Sequence, residues 1–257
     1  MSASEDTWRP PFTLEERLKY ALVPGPLYIR YRAAKEWWRG EREVRLLPHL
    51  ADPARVSIDV GANKGVYTYF LARWSRHVHA FEPNPKLFAV LRRTMGAAAA
   101  VTLSPLALGD REGTAELRIP LGSRGYSNQG GSLSAIKVPD HFRPVPVRTA
   151  RLDDLDIQDI GFMKIDVEGF ESQVLHGARE TITRDWPVLL IEMEERHRGE
   201  PIEAAIAEVE ALGYRGLALH RGRLADLDHF DGQRFHRAPA SRADYIFNFV
   251  FLPRGGV

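Results

Sequence analysis

Cysteine is absent from all 257 residues. Its absence excludes a disulfide framework, a thiolate nucleophile and a zinc–thiolate site, and it fits a reducing compartment. No apolar run approaches the ~20 residues that cross a bilayer as a helix. The opening stretch, MSASEDTWRPPF, lacks the basic-then-apolar order of a secretory leader. The expectation is therefore a cytoplasmic protein. A charge surplus is missing too, since 35 Lys and Arg stand against 34 Asp and Glu. That balance calls for neither nucleic acid nor a strongly acidic partner. Internal repeats, low-complexity tracts and a linker between two large domains are also absent. What remains is ordinary globular composition, 44% hydrophobic and 27% charged, enough for one α/β domain with an appendage.

The most informative stretch is residues 55–82, RVSIDVGANKGVYTYFLARWSRHVHAFE. Val56-Ser57-Ile58-Asp59-Val60 is a short apolar run rich in β-branched residues, the composition of a buried strand. Gly61-Ala62-Asn63-Lys64-Gly65 is a tight turn. Val66, Tyr69, Phe70 and Trp74 then recur at helical spacing. A second strand, residues 77–82, ends on Glu82. Strand, glycine turn, helix and strand with a terminal acid make half of a doubly wound nucleotide-binding sheet. Gly61 and Gly65 permit a tight turn and close ligand approach. Asn63 tolerates left-handed geometry. Glu82 lies about 20 residues past the turn, where an acid accepts bonds from ribose hydroxyls. The turn lacks the G-x-G-x-x-G spacing that seats a pyrophosphate. Its wider form suits a nucleoside without phosphate, such as S-adenosylmethionine. Any α/β sheet needs glycines after its first strand, but Asp59 in a buried strand calls for a partner.

Residues 1–51 form an N-terminal helical segment ahead of this unit. Leu14, Leu18, Ala21 and Leu22 share helical spacing, Pro24-Gly25-Pro26 breaks that helix, and residues 27–38 carry Tyr28, Tyr31, Trp37 and Trp38 among basic residues. One reading is a cap that packs across the sheet edge and closes the ligand pocket. The other is an aromatic and basic surface for peripheral membrane contact or a carbohydrate.

Beyond Glu82, Pro83-Asn84-Pro85 starts a helix that stops at Gly96. A third strand opens at Val101, followed by the loop Pro105-Leu106-Ala107-Leu108. Residues 114–119 alternate and pair best with residues 145–150. A Gly/Ser-rich flap at about residues 121–143 lies between them, and Arg124, Tyr126 and Asn128 are its candidate substrate contacts. Residues 162–167 are a strand running into Glu168-Gly169, with Asp166 and Glu168 pointing to one side if extended. A helix over 171–184, a strand over 188–191 ending in Glu192 and Glu194, and a helix closing at Gly213 follow. Residues 214–219 are strand-like, and the most apolar run, 244–252, reads as a central final strand. The last two strands have no helix between them, so the final one runs antiparallel.

Six acids, Asp59, Glu82, Asp166, Glu168, Glu192 and Glu194, fall at four successive strand ends, where ligands bind in such sheets. The expected cofactor contacts are Asp59, Gly61, Ala62, Asn63, Gly65, Glu82, Pro83, Leu106, Ala107 and Asp166. If the nucleoside is S-adenosylmethionine, methyl transfer would need alignment and exclusion of water, and a hydroxyl acceptor would need a general base. His197 is the candidate by intrinsic pKa, with Glu192 and Glu194 to orient it. Glu168 and Glu192 are the other catalytic candidates. The paired carboxylates leave a divalent cation such as Mg²⁺ open without spelling a metal motif, and no metal ligand is assigned.

DVGANKGVYT, FEPNP, KIDVEGFESQVLHGA and LLIEMEE together resemble the FkbM family of S-adenosylmethionine-dependent methyltransferases, from about Arg55 to the C-terminus. The resemblance implies a Rossmann-like methyltransferase fold: a seven-stranded, mostly parallel α/β sheet with the last strand reversed beside the fifth. It also implies O-methylation of a small acceptor: a saccharide, glycolipid or secondary metabolite hydroxyl. A NAD-dependent oxidoreductase and a non-catalytic nucleoside-binding module are the competing readings.

Overall fold

The computed structural model describes residues 10–122, 125–126, 131–137 and 141–255. Helices come first. α1 (Leu14–Leu22) opens on Thr13, whose hydroxyl accepts the Glu16 amide while the Glu16 carboxylate accepts the Thr13 amide. α2 (Gly25–Arg39) carries Pro26 in its first turn and ends at Gly40. A 3-10 turn, Arg42–Leu46, leads into the short α3 (Leu47–Leu50). Val44 and Leu47 are fully buried and join Ala33 against Phe70, Val78 and Phe162. This segment therefore contributes to the core on one face of the sheet.

β1 (Val56–Val60) is buried at every position, as its β-branched composition predicts. α4 (Val66–Trp74), β2 (His77–Phe81), α5 (Pro85–Met95) and β3 (Val101–Ser104) follow. Asn84 caps α5, its Oδ1 accepting the amides of Lys86 at 3.0 Å and Leu87 at 3.4 Å. β4 (Ala107–Leu108), β5 (Gly113–Gly122), β6 (Gly125–Tyr126) and β7 (Phe142–Ala150) form a small second sheet in the order β4-β7-β5-β6. The expected pairing is present there, antiparallel, with Thr114 opposite Arg148.

The chain then returns to the main sheet through β8 (Ile160–Ile165), α6 (Glu171–His176), α7 (Arg179–Asp185), β9 (Val188–Glu192), α8 (Glu195–Arg198), α9 (Ile202–Glu210), β10 (Tyr214–His220), β11 (Arg223–Asp226) and β12 (Asn248–Pro253). The spatial order is β11-β10-β12-β9-β8-β1-β2-β3. β3, β2, β1, β8 and β9 are mutually parallel, and β12 runs antiparallel to both β9 and β10. The reversed last strand thus lies beside the fifth parallel one, as expected. A second core, containing Val174, Ile182, Ile206 and Val209, covers the face opposite α2 and α4.

Several details differ from the sequence reading: the loop expected over 105–108 includes β4, and the expected flap includes β6 and the start of β7. The sheet gains an eighth strand, β11, through a two-residue hairpin at Arg221-Gly222, where both φ angles are positive (49° and 83°). The helix expected over 171–184 is two helices. A Cβ at Gly177 would stand 1.8 Å from the Gly109 carbonyl oxygen, and Asp153 accepts the Thr181 amide at 2.9 Å, capping the second helix. The final strand begins at Asn248 rather than Asp244, because Asp244 accepts bonds from His220, Arg221 and Ser241.

Candidate active site

The parallel strands β9, β8, β1 and β2 end side by side, and a cleft opens over their carboxyl ends. Gly61 is its pivot. Its φ is +81°, and a Cβ there would stand 1.9 Å from the Asp166 carbonyl oxygen, so the β1 and β8 exits touch. The amides of Gly61 and Ala62 both donate to the Phe81 carbonyl at 2.9 Å. Gly65 lines neither half of the cleft; it precedes α4, and a Cβ there would meet Leu91 Cδ1 at 2.7 Å.

One half of the cleft is lined by more apolar than polar side chains. Phe81, Leu106, Ala107, Leu108, Leu133 and Phe170 wall it, and with its open mouth it encloses about 710 Å³. Gly61, Asn63, Pro83 and Asp166 reach its rim. Glu82 lies at its floor, 5% exposed. One of its oxygens accepts the Asn63 amide at 2.7 Å and the other the Asn84 amide at 2.8 Å. Glu82 therefore fastens the glycine turn to the β2 exit and keeps lone pairs for a further donor. Burial pushes its carboxyl up to about 7, against those two hydrogen bonds.

The other half is charged. Asp59, Ala62, Lys64, Tyr67, Lys164 and Asp166 line it together with Arg32, Glu36 and Glu41 of the N-terminal segment. Lys164 is fully buried, its Nζ 3.5 Å from Asp166 Oδ2 and 5.0 Å from the centre of the Tyr67 ring. Among the described residues, neither Lys164 Nζ nor buried Arg32 Nε finds a hydrogen-bond partner in the protein. Burial would push Lys164 down, but Asp166, Glu192, Glu41 and Asp59 outweigh it and hold the ammonium above the ordinary lysine value. The acids respond in turn. Asp59 takes the Thr68 hydroxyl at 2.5 Å, yet burial lifts it to about 6. Burial, then the Asp166 charge, lifts Glu192 to about 8.

Of the catalytic candidates, Glu168 lines the apolar half, while His197, Glu192 and Glu194 line neither half. Glu168 has φ +58°, so it does not extend β8 and does not share a side with Asp166 by strand alternation. Its carboxylate pairs with Lys137 and lies 3.5 Å from His197 Nδ1. Gly169, with φ +98°, admits the His197 carbonyl where a Cβ would be 2.4 Å away. Burial, then Lys137, pushes His197 down to about 4, so the imidazole is neutral at pH 7. Glu194 does not orient His197 by side-chain contact; it accepts bonds from Arg196 and Tyr245. Among the described residues, no three His, Asp or Glu side chains gather in metal-holding geometry.

The downstream part of the flap is pinned over the site. Ser132 donates to the Glu168 carbonyl at 2.6 Å and Ser134 to the His197 carbonyl at 3.1 Å. Tyr126 packs against the core of the small sheet, while Arg124 and Asn128 lie outside the described residues. Sequence reasoning missed Lys164, Phe170, Ser132 and Lys137. Lys164 carried a signal, a lysine inside the buried strand FMKI, whereas Ser132 carried none.

An open, doubly wound sheet with a nucleoside-sized cleft at its strand ends defines the class. A family model, the methyltransferase FkbM domain, matches residues 59–215, more than half of the chain. The chain belongs to the FkbM methyltransferase-domain family. It is 29% identical over 151 residues to 2-O-methyltransferase NoeI of Sinorhizobium fredii, covering 52% of this chain and 62% of NoeI. It is 30% identical over 190 residues to 31-O-demethyl-FK506 methyltransferase FkbM of Streptomyces tacrolimicus, covering 62% of this chain and 71% of that protein. The crystal structure of methyltransferase FkbM from Methylobacillus flagellatus KT superposes with a TM-score of 0.49 at 18% identity, over 78% of this chain and 44% of that one. The chain thus spans less than two thirds of NoeI and less than half of that structure.

Proposed function

We propose that this protein is an S-adenosylmethionine-dependent O-methyltransferase acting on a hydroxyl of a small acceptor: a saccharide, a glycolipid or a secondary metabolite. The observation that carries the reading is the pairing of an apolar, Glu82-floored half-cleft with a charged half-cleft across Gly61. The family membership and the O-methyl chemistry in both relatives' names support it.

The residues fit the cofactor. Leu106, Ala107 and Phe170 suit an adenine face, and the free lone pairs of Glu82 suit ribose hydroxyls. Gly61 leaves room that a Cβ would fill. Asp166 and Asp59 suit an ammonium, and the orphaned Arg32 Nε suits a carboxylate. When bound, S-adenosylmethionine supplies an electrophilic methyl on a sulfonium. The protein's tasks are to hold the acceptor oxygen in line and to keep water out. Residues 131–137 cover the site for the second task, and the N-terminal segment acts as a cap that also supplies Arg32, Glu36 and Glu41. His197, neutral and facing Glu168, takes the hydroxyl proton, and Glu168 stabilises the imidazolium that results. Burial and the Asp166 charge favour the neutral form of Glu192, which suits a hydrogen-bond donor better than the base.

Calorimetry tests the cofactor. S-adenosylhomocysteine binds and raises the melting temperature, whereas NAD does neither. Binding of NAD alone would transfer the protein to the oxidoreductases. Tritiated methyl transfer into extracts of the source cell then separates an enzyme from a nucleoside-binding module and identifies the acceptor. With that acceptor, His197→Ala lowers turnover by roughly two to four orders of magnitude at unchanged cofactor affinity. Unchanged turnover would remove His197 from the chemistry.

A further inference from the structure

Ten large apolar side chains are strongly exposed among the described residues, and six of them lie on α1 and α2. Leu14, Leu18 and Leu22 recur every fourth residue along α1. Leu27, Tyr31 and Trp38 form one stripe along α2. All six are 55–78% exposed. The stripe on α2 is not a core face, because Tyr28, Ile29 and Ala33 are the buried ones. Arg32 and Glu36 look into the charged half of the cleft. Beside the stripe, Trp37, Trp38, Phe70 and Trp74 wall an apolar surface groove between α2 and α4, with Arg30 and Arg73 also lining it.

Charge on the same segment is one-sided. Over residues 14–45 the exposed cations are Arg17, Arg30, Lys35, Arg39, Arg42 and Arg45, against Glu15 as the exposed acid. The whole chain carries only +1, so the basic excess is local. Apolar and aromatic residues flanked by exposed arginine and lysine match an anionic lipid interface. Leucine and aromatic rings enter the headgroup boundary there, while cations hold the lipid phosphates. A second copy of this chain would bring six cations against six.

We propose that the outer faces of α1 and α2 dock the protein on an anionic bilayer surface, with Leu27, Tyr31 and Trp38 entering the interface. The inner face of α2 belongs to the cleft, so docking places the cleft within about one helix diameter, ~10 Å, of the headgroups. The inference stands independently of the chemistry proposed above.

Sedimentation with lipid vesicles tests it on the full chain. The protein binds vesicles of phosphatidylglycerol mixed with phosphatidylcholine and binds pure phosphatidylcholine at least roughly tenfold more weakly. High salt weakens the binding. Leu27→Ser with Trp38→Ser, and separately Arg30→Glu with Lys35→Glu, each reduce it by roughly tenfold or more, with thermal unfolding unchanged. Absence of binding to the anionic vesicles, or binding equal in the parent and both variants, overturns the proposal. A concentration-dependent dimer abolished by Trp38→Ser, without vesicle binding, assigns the face to a second copy instead. Salt-sensitive capture of single-stranded RNA without vesicle binding assigns it to nucleic acid.

Discussion

The two halves of the cleft are built from different distances along the chain. The apolar half takes its floor and much of its rim from residues 60–108, including the consecutive strand ends that hold Gly61, Phe81 and Glu82. The charged half joins residues 32–41 of the N-terminal helices to the β1 and β8 exits, residues 59–67 and 164–166. In the first, a single buried acid is satisfied by backbone amides of its own motif. In the second, a buried lysine is held by several carboxylates from separate elements. A site half made of backbone is robust to side-chain change, while a site half made of opposed charges depends on every member.

The largest expected effect separates the halves most sharply. Lys164→Met removes the cation that Asp166, Glu192, Glu41 and Asp59 surround, and destabilises the protein by about 3–5 kcal/mol in urea unfolding at pH 7. A loss under about 1 kcal/mol would show that the acids relax by taking up protons, and would erase the contrast. Glu82→Ala acts on the other half. It weakens S-adenosylhomocysteine by about 1.5–3 kcal/mol in calorimetry. Parent-like affinity would remove Glu82 from ribose recognition.

Titration sharpens the comparison next. Glu82 and Glu192 have folded-state pKa values of about 7 and about 8, raised from 4.5. From about pH 4.5 up to those values the folded state holds more protons than the unfolded state, so stability falls as pH rises across that span. His197, lowered from 6.5 to about 4, acts oppositely but only below about 6.5. Between about pH 6.5 and 8.5 the ligand-free protein loses on the order of 2 kcal/mol. Glu82→Gln removes a contribution that ends near pH 7, and Glu192→Gln removes the larger one, which continues to about pH 8. A flat profile in the parent would show that neither acid is protonated at neutral pH. The smallest effect belongs to Tyr67→Phe, which deletes the 2.6 Å bond to Glu41 and costs about 1 kcal/mol. No measurable change would mean that Glu41 is satisfied by the Asn248 side-chain amide alone, which donates to Glu41 Oε2 at 3.3 Å.

Legibility in the sequence follows the same division. The succession of strands and helices and the glycine turn were readable, because periodicity, β-branched runs and turn residues are local signals; the reversal of β12 followed from the missing helix before it, and its place beside the fifth strand from the family resemblance. Glu82 was readable because its spacing from the turn is fixed by one helix and one strand. Arg32 and Glu41 were not readable as cleft residues, since what brings them there is the packing of Val44 and Leu47 on the sheet. Glu168 was misread as extended because positive φ at a glutamate has no sequence signature. The short strand β11 was missed because Arg-Gly is a weaker hairpin signal than Asn-Gly.

The position of β12 has a consequence for how the molecule is made. Residues 248–253 slot between β9 and β10 and pair with both. Until they emerge during synthesis, β9 and β10 each present an unpaired edge to the surroundings. Such edges recruit strands from other chains. Completion of the sheet is thus a late, long-range event, the kind that slows folding and exposes intermediates to aggregation. A released chain ending at residue 247 is accordingly expected to associate with chaperones, whereas the chain that includes residues 248–253 closes the sheet.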